Sequence, residues 1–282
     1  MDIEARPAQT VAIDETRQVK AKQYARIRRR LSLVGLGIGA VGVALLLFTG
    51  LPGWLRDRLH ALSWQPVAGW FPLQVLLFFL VVMLVYEAIN APISYYSGYV
   101  LPRRYGLSVM TIAGWLRDVF IGLALELVLG IVLLEIIYFL LAAQPLTWWL
   151  WVALALLFFS VVMANLAPVL LFPLFYKFHP LPEGDLSRRL LALAERAHTH
   201  VRGVYTFDMS RKTTAANAAL MGLGNTRRIV LGDTLLKEFT NEEIEVVLAH
   251  ELGHHVHNDI WKSLVMQSLL TLGGLYLINE IF

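Results

Sequence analysis

His250-Glu251-Leu252-Gly253-His254 stands between Val246-Val247-Leu248-Ala249 and a long apolar tail. Two histidines four apart fall on one face of a helix, one turn from each other. Two imidazoles so placed reach one zinc ion, and the glutamate beside the first then lies near the metal's open position, where it can take a proton from a bound water. The bland alternative is a pair of histidines on a solvated helix face. Upstream, Thr240 to Glu243 follow the pattern T-x-x-E, a capping box that predicts a helix start ten residues before His250. No proline interrupts the chain from there to His257.

Further outward, composition sets the class. Of 282 residues 57% are hydrophobic and 16% charged, against roughly a quarter charged in soluble domains. Cysteine is absent, which excludes disulfides and thiolate zinc sites, so a metal would be held by His, Asp or Glu. Five segments are long and apolar enough to cross a bilayer, which takes ~20 residues: Leu31 to Thr49, Phe71 to Ala91, Val119 to Leu141, Trp148 to Phe175 and Ser263 to Phe282. Pro168 and Pro173 predict a kink or break late in the fourth. The first starts too late, and lacks the small-residue motif, for a cleavable signal peptide.

The expected domains are a basic N-terminal arm (1–30), a four-span bundle (31–175), a metallopeptidase domain (176–262) and a fifth span (263–282). Lys20, Lys22, Arg26, Arg28, Arg29 and Arg30 precede the first span, and Arg103, Arg104 and Arg117 lie between the second and third. By the positive-inside rule both stretches are cytoplasmic, and so is the segment from Lys177 to Lys262. Arg56 and Arg58 in the first outer loop weaken this contrast without reversing it.

Between Ser94 and Asp118 the residues Tyr95, Tyr96, Tyr99, Tyr105 and Trp115 alternate with arginines. An interfacial aromatic belt looks like this; so would a loop packed on the catalytic domain. After the fourth span, His179 to Gly184 are expected to be a turn-rich linker, and Asp185 to cap a helix with apolar positions at Leu186, Leu190, Leu193, Ala194 and Ala197. Val204 to Phe207 suggest a strand. Ala215 to Met221 and Arg228 to Leu231 suggest a hairpin around Gly222-Leu223-Gly224-Asn225. Asp233 opens a short helix ending near Phe239. The helix of His250 is expected to run straight towards the fifth span, placing His254 ~14 Å along the axis from Ser263. The metal would then sit near the membrane surface.

A catalytic zinc usually has three protein ligands and a water. His255 points ~100° away from His254. His257 lies roughly 10 Å along the axis from His250. The longer pattern H-E-x-x-H-x-x-G-x-x-H needs glycine and histidine where this chain has His257 and Ile260. Glu280 is most of a membrane thickness away. No residue is a convincing third ligand. Glu87, Asn90, Glu126, Glu135 and Asn165 lie within spans, where polar groups face a cavity, snorkel or pair locally.

Several stretches resemble the Ste24 family, the CAAX prenyl protease 1 type of M48 metallopeptidase. They are Thr213 to Leu236, with Ala216-Asn217-Ala218, Gly222 and Ile229 to Leu236, and Asn241-Glu242-Glu243 followed by His250 to His255. Leu174 to Phe178, Pro180 to Gly184, and the loop from Tyr95-Tyr96 to Tyr105-Gly106 belong to the same likeness. It covers roughly residues 70 to 282. Family members continue with two further spans and a segment whose Glu is the third zinc ligand, so the resemblance implies a C-terminally truncated chain with its third ligand beyond residue 282. It further implies a multi-span α-helical membrane protein with a cytoplasmic α+β zincin-like (gluzincin) metallopeptidase domain. One Zn2+ per chain is expected, held by His250 and His254, with Glu251 as general base and Asn217, on an edge strand, binding substrate. The expected partners are a peptide or protein substrate, including lipid-modified or membrane-associated ones, and the lipid bilayer, with no nucleic acid. The expected location is the inner membrane of a bacterium or the endoplasmic reticulum of a eukaryote. Alternatives are a quality-control protease like HtpX, a site-2-type intramembrane protease, which the position of the motif outside the apolar run disfavours, and a non-catalytic scaffold or pseudoprotease.

Overall fold

The computed structural model describes residues 15–62, 71–222 and 226–281. Among these residues, five helices are long and apolar enough to cross a membrane. They are α1 (Glu15–Phe48), α3 (Phe71–Tyr95), α4 (Ile112–Ala143), α5 (Trp148–Leu166) and α9 (Asp259–Ile281). A shorter helix, α2 (Leu51–Leu62), packs on α3. The first helix already begins at Glu15, so residues 15–30 extend it instead of standing apart as an arm; residues 1–14 lie outside the described residues. In the bundle α1 packs on α3, α3 on α4, α4 on α5 and α5 on α9. Trp149 and Tyr276 join the last pair edge-to-face at 5.2 Å.

The prolines do not stop the spans. Helix α5 passes through a π-helical turn, Ala167–Leu171, carrying Pro168, into a final α-turn, Phe172–Phe175, carrying Pro173. The widened turn absorbs the missing N–H. The carbonyl of Pro168 instead accepts a hydrogen bond from Arg228 Nη2 at 3.0 Å. Helix α3 ends in the same manner, through a π-turn at Tyr96–Val100 and an α-turn at Leu101–Arg104. Within the spans, Asn90 Nδ2 donates to Tyr86 O and Asn165 Nδ2 to Val161 O, each at 2.9 Å. Both amides are therefore partnered inside their own helix, as lipid surroundings demand.

The compact lobe follows. It comprises β1 (Phe178–Pro180), α6 (Asp185–Arg196), β2 (Val204–Phe207), β3 (Ala218–Met221), β4 (Arg228–Gly232), α7 (Asp233–Glu238) and α8 (Asn241–Val256). The sheet order is β1-β2-β4-β3, with β2 and β4 parallel and the outer pairs antiparallel. Phe178 and His179, part of the segment leaving the membrane, pair with Phe207 and Thr206. The turn-rich linker thus starts later than the Pro/Gly content suggested: Pro180 sits on an outer strand, where a missing N–H costs nothing. Asp185 is not the N-cap of α6; that position is Gly184, with no side-chain cap, and Asp185 occupies the first turn, 3.6 Å from Arg189. The strand expected from Ala215 begins at Ala218. Gly222, with φ +90, turns the chain after β3, and a Cβ there would lie 2.7 Å from the carbonyl oxygen of Thr226. Residues 223–225 of the expected hairpin tip lie outside the described residues.

One core holds the lobe. Leu190 and Ala194 from α6 meet Val204, Ala218, Ile229 and Leu231 from the sheet, Leu235 from α7, and Ile244, Leu248 and Leu252 from α8. The last three repeat every fourth residue, so a single stripe of α8 is buried.

The loop between α3 and α4 docks onto this lobe, and the aromatic cluster beside it is also present. Tyr95, Tyr99 and Trp115 pack with ring centroids 5.5 to 6.0 Å apart. Ser108 and Thr213 form a β-bridge. Val109 N donates to Lys212 O at 3.2 Å, and the hydroxyls of Thr213 and Thr214 donate to the carbonyls of Leu107 and Gly106 at 2.6 and 3.0 Å. Lys212, buried, pairs with Asp118 at the start of α4 and lies 4.4 Å above the Tyr176 ring. Burial, with Asp118 and Asp208 behind it, pushes the Tyr176 phenol above its ordinary pKa.

Candidate metal centre

Helix α8 starts where the sequence predicts. Thr240 Oγ1 accepts from Glu243 N at 3.3 Å, and Glu243 Oε2 accepts from Thr240 N at 2.9 Å. Both orphan N–H groups are thereby satisfied. Arg189 on α6 clamps the first turns, bonding Glu245 through Nε and Glu242 through Nη1 at 2.9 Å. A hydrogen bond from its own backbone N–H, then Arg189, holds the Glu242 carboxyl below its ordinary pKa.

The helix then shows two chemistries on two faces. Ile244, Leu248 and Leu252 point into the core. His250 and His254, two residues after each of the last pair, fall ~200° round the helix from them and are both exposed. Their rings meet edge-to-face with centroids 4.8 Å apart. Glu251 lies half-buried beside them. His255 is half-buried too; burial, with Arg227 second, lowers its pKa. Among the described residues it forms no metal-holding group with the pair.

The helix does not continue into the last span. It ends at Val256; His257 closes it, Asn258 takes φ 55, and α9 begins at Asp259. Asparagine tolerates this left-handed conformation better than most residues. The straight run expected from His254 to Ser263 is therefore broken after one turn. Asp259 swings back, and its Oδ2 lies 2.9 Å from His254 Nδ1. Sequence reasoning overlooked Asp259; the adjacent Asn258-Asp259, a left-handed turn residue followed by a helix-start acid, was the available signal.

Asn217 is exposed and stands one residue before β3. Its carbonyl accepts from Gly232 N at 2.8 Å, which extends the β3–β4 ladder by one step. Strand β3 is the sheet edge, and α8 packs against it. Thr234 Oγ1 donates to Ala215 O at 2.8 Å and steadies the approach to the edge. Among the described residues no third His, Asp or Glu joins His250 and His254 in a group able to enclose a metal. The two imidazoles themselves fit one: they share a face, both reach solvent, and His254 commits only Nδ1 to a protein partner.

Comparison with known families agrees with this architecture. A family model described as the CAAX prenyl protease N-terminal region, with five membrane helices, matches residues 4–177. The model of peptidase family M48 matches residues 180–282. The chain belongs to the M48 peptidase family, whose members carry a catalytic metal. Within it the likenesses are of Ste24 type. The chain is 34% identical over 83% of its length to the CAAX prenyl protease 1 homolog of Arabidopsis thaliana, covering 57% of that protein. It is 29% identical over 93% of its length to the uncharacterized metalloprotease YhfN of Bacillus subtilis, covering 60% of it. The crystal structure of S. mikatae Ste24p superposes on all of this chain with a TM-score of 0.85 at 25% identity, and 65% of Ste24p is covered. The chain thus spans less than two thirds of the length of these relatives. Ahead of residue 177, four of the described helices are long enough to cross a membrane.

Proposed function

We propose that this protein is a zinc metalloendopeptidase of the CAAX prenyl protease kind, cutting peptide bonds near the membrane surface. The observation that carries the reading is the exposed His250–His254 pair on a capped helix that packs against the outermost strand of the sheet. His250 and His254 would hold the zinc. When bound, zinc polarises a carbonyl and makes its water more acidic. The remaining work falls to the chain. Glu251 takes a proton from the attacking water and passes it to the leaving amine. The outer edge of β3 accepts an extended peptide as one more strand, and the Asn217 amide hydrogen-bonds its backbone. The substrates that suit this placement are peptides or proteins held at or in the bilayer, including lipid-modified ones, because the metal pair lies only a few residues before α9.

The test separates metal binding from proton transfer. Glu251→Gln should retain zinc by elemental analysis while turnover of a quenched-fluorescence peptide falls by about a thousandfold. Loss of zinc together with turnover would assign Glu251 a different job.

The lobe is further proposed to face the cytoplasm. The support is the cluster of Lys and Arg before the first span and between α3 and α4. A cysteine placed at exposed Glu183 should resist an impermeant maleimide in intact cells and react after permeabilisation; reaction in intact cells reverses the topology.

A further inference from the structure

The break after α8 does more than redirect the chain. In an unbroken helix a residue five positions on is rotated ~140° from the first, out of reach of its side chain. Here the left-handed Asn258 and the restart at Asp259 return the Asp259 carboxylate to His254, with Oδ2 at 2.9 Å from Nδ1. The other oxygen, Oδ1, faces Lys262 Nζ at 3.7 Å. An acid in the first turn of a helix is common and favourable, but that role does not require one oxygen to be aimed at an imidazole of the preceding helix.

We propose that Asp259 is a positioning residue for the metal site, acting through His254. This rests on the reading of His254 as a zinc ligand. An ionised carboxylate only accepts hydrogen bonds. In the neutral ring this 2.9 Å contact is made by the tautomer with its proton on Nδ1, which donates to Oδ2 and leaves the Nε2 lone pair for a metal. The contact also holds the ring. His254 is 55% exposed and otherwise meets the His250 ring edge-to-face, and an imidazole free to turn would present the right nitrogen only part of the time. Asp259 touches neither zinc nor substrate in this scheme.

The test uses purified, metal-stripped protein in detergent and reads zinc affinity by competition with a chromophoric chelator. Asp259→Asn and Asp259→Ser both keep a residue suited to a helix start but remove the charge. Each should bind zinc about 10- to 100-fold more weakly than the parent, with unchanged far-UV circular dichroism. Lys262→Ala, which removes the partner of the other oxygen, should leave affinity unaltered. Cobalt loaded in place of zinc should show a shifted visible absorption in the Asp259 variants, since the orientation of His254 changes. If both Asp259 variants bind zinc as tightly as the parent with the same cobalt spectrum, Asp259 is a helix-start residue alone and the inference is overturned. A different result marks failure of the underlying reading: should His254→Ala bind zinc like the parent, His254 is not a ligand, and the role assigned to Asp259 falls with it.

Discussion

The lobe and the spanning helices solve the same problem, satisfying a long hydrophobic chain, in opposite ways. Apart from Leu101 and Val152, the largest fully buried side chains among the described residues all belong to the lobe, from Leu190 to Leu248. The long helices instead turn large apolar residues outward: Leu36 at 68% exposure, Phe120 at 69% and Leu269 at 62%. Those surfaces suit lipid, which is as apolar as they are. Polar groups follow the same division. In α3 and α5 asparagines bond carbonyls of their own helix. In the lobe polar groups bond across elements, as Arg189 does from α6 to α8. The lesson is that the lobe is specified by what each residue buries against, whereas the spans are specified mainly by length and apolarity. The junction between them, the buried Lys212–Asp118 pair, is where both logics meet.

That contrast can be broken first at the junction. Lys212→Ala leaves Asp118 without its partner in a partly buried site, with side-chain exposures of 9% and 20% for the pair. Removing one member of such a pair costs about 3 to 5 kcal/mol. Thermal unfolding in detergent should show the largest drop of this series, and the double variant Lys212→Met/Asp118→Leu should recover much of it. Equal stability of the single variant and the parent would mean the loop–lobe contact is ornamental.

Next comes the core itself. Leu248 is fully buried, and Leu248→Ala should cost about 2 to 5 kcal/mol through lost contacts and a cavity. The matched truncation in a span, Phe120→Ala, should change stability in detergent by less than about 0.5 kcal/mol. Comparable losses at both positions would erase the distinction between lobe and spans.

The smallest effect is expected at the sheet edge. Asn217 is exposed and its side chain supports no core contact, so Asn217→Ala should leave the melting temperature unchanged. Losing one hydrogen bond to substrate costs ~1 to 2 kcal/mol, which lowers kcat/KM by about tenfold. Full activity in this variant would make Asn217 a strand-end residue without a part in binding.

Local, strongly periodic features were legible before any coordinates. The capping box of Thr240 and Glu243 formed as written, and the five apolar runs are the five long helices. Strand β2, helix α7 and the pairing of β3 with β4 followed from alternation and turn chemistry. The boundaries were less legible. Strand β1 hides among prolines because it pairs with β2, twenty-five or more residues later in the chain, and its outer position makes Pro180 harmless.

The sequence by itself determined the two-faced helix α8: a four-residue repeat of apolar side chains buries one stripe, and His250 and His254 must then share the other. It also determined that the chain is a membrane protein, since runs of apolar residues longer than a bilayer is thick have no other stable setting. Only the tertiary structure decided which neighbours those histidines have. One left-handed residue, Asn258, separates a helix that would have carried Asp259 away from His254 from a turn that brings it within 2.9 Å. A similar long-range choice set the loop of residues 106–109 on Lys212 to Thr214. Such contacts depend on a few dihedral angles and on segments a hundred residues apart, and no local periodicity records them.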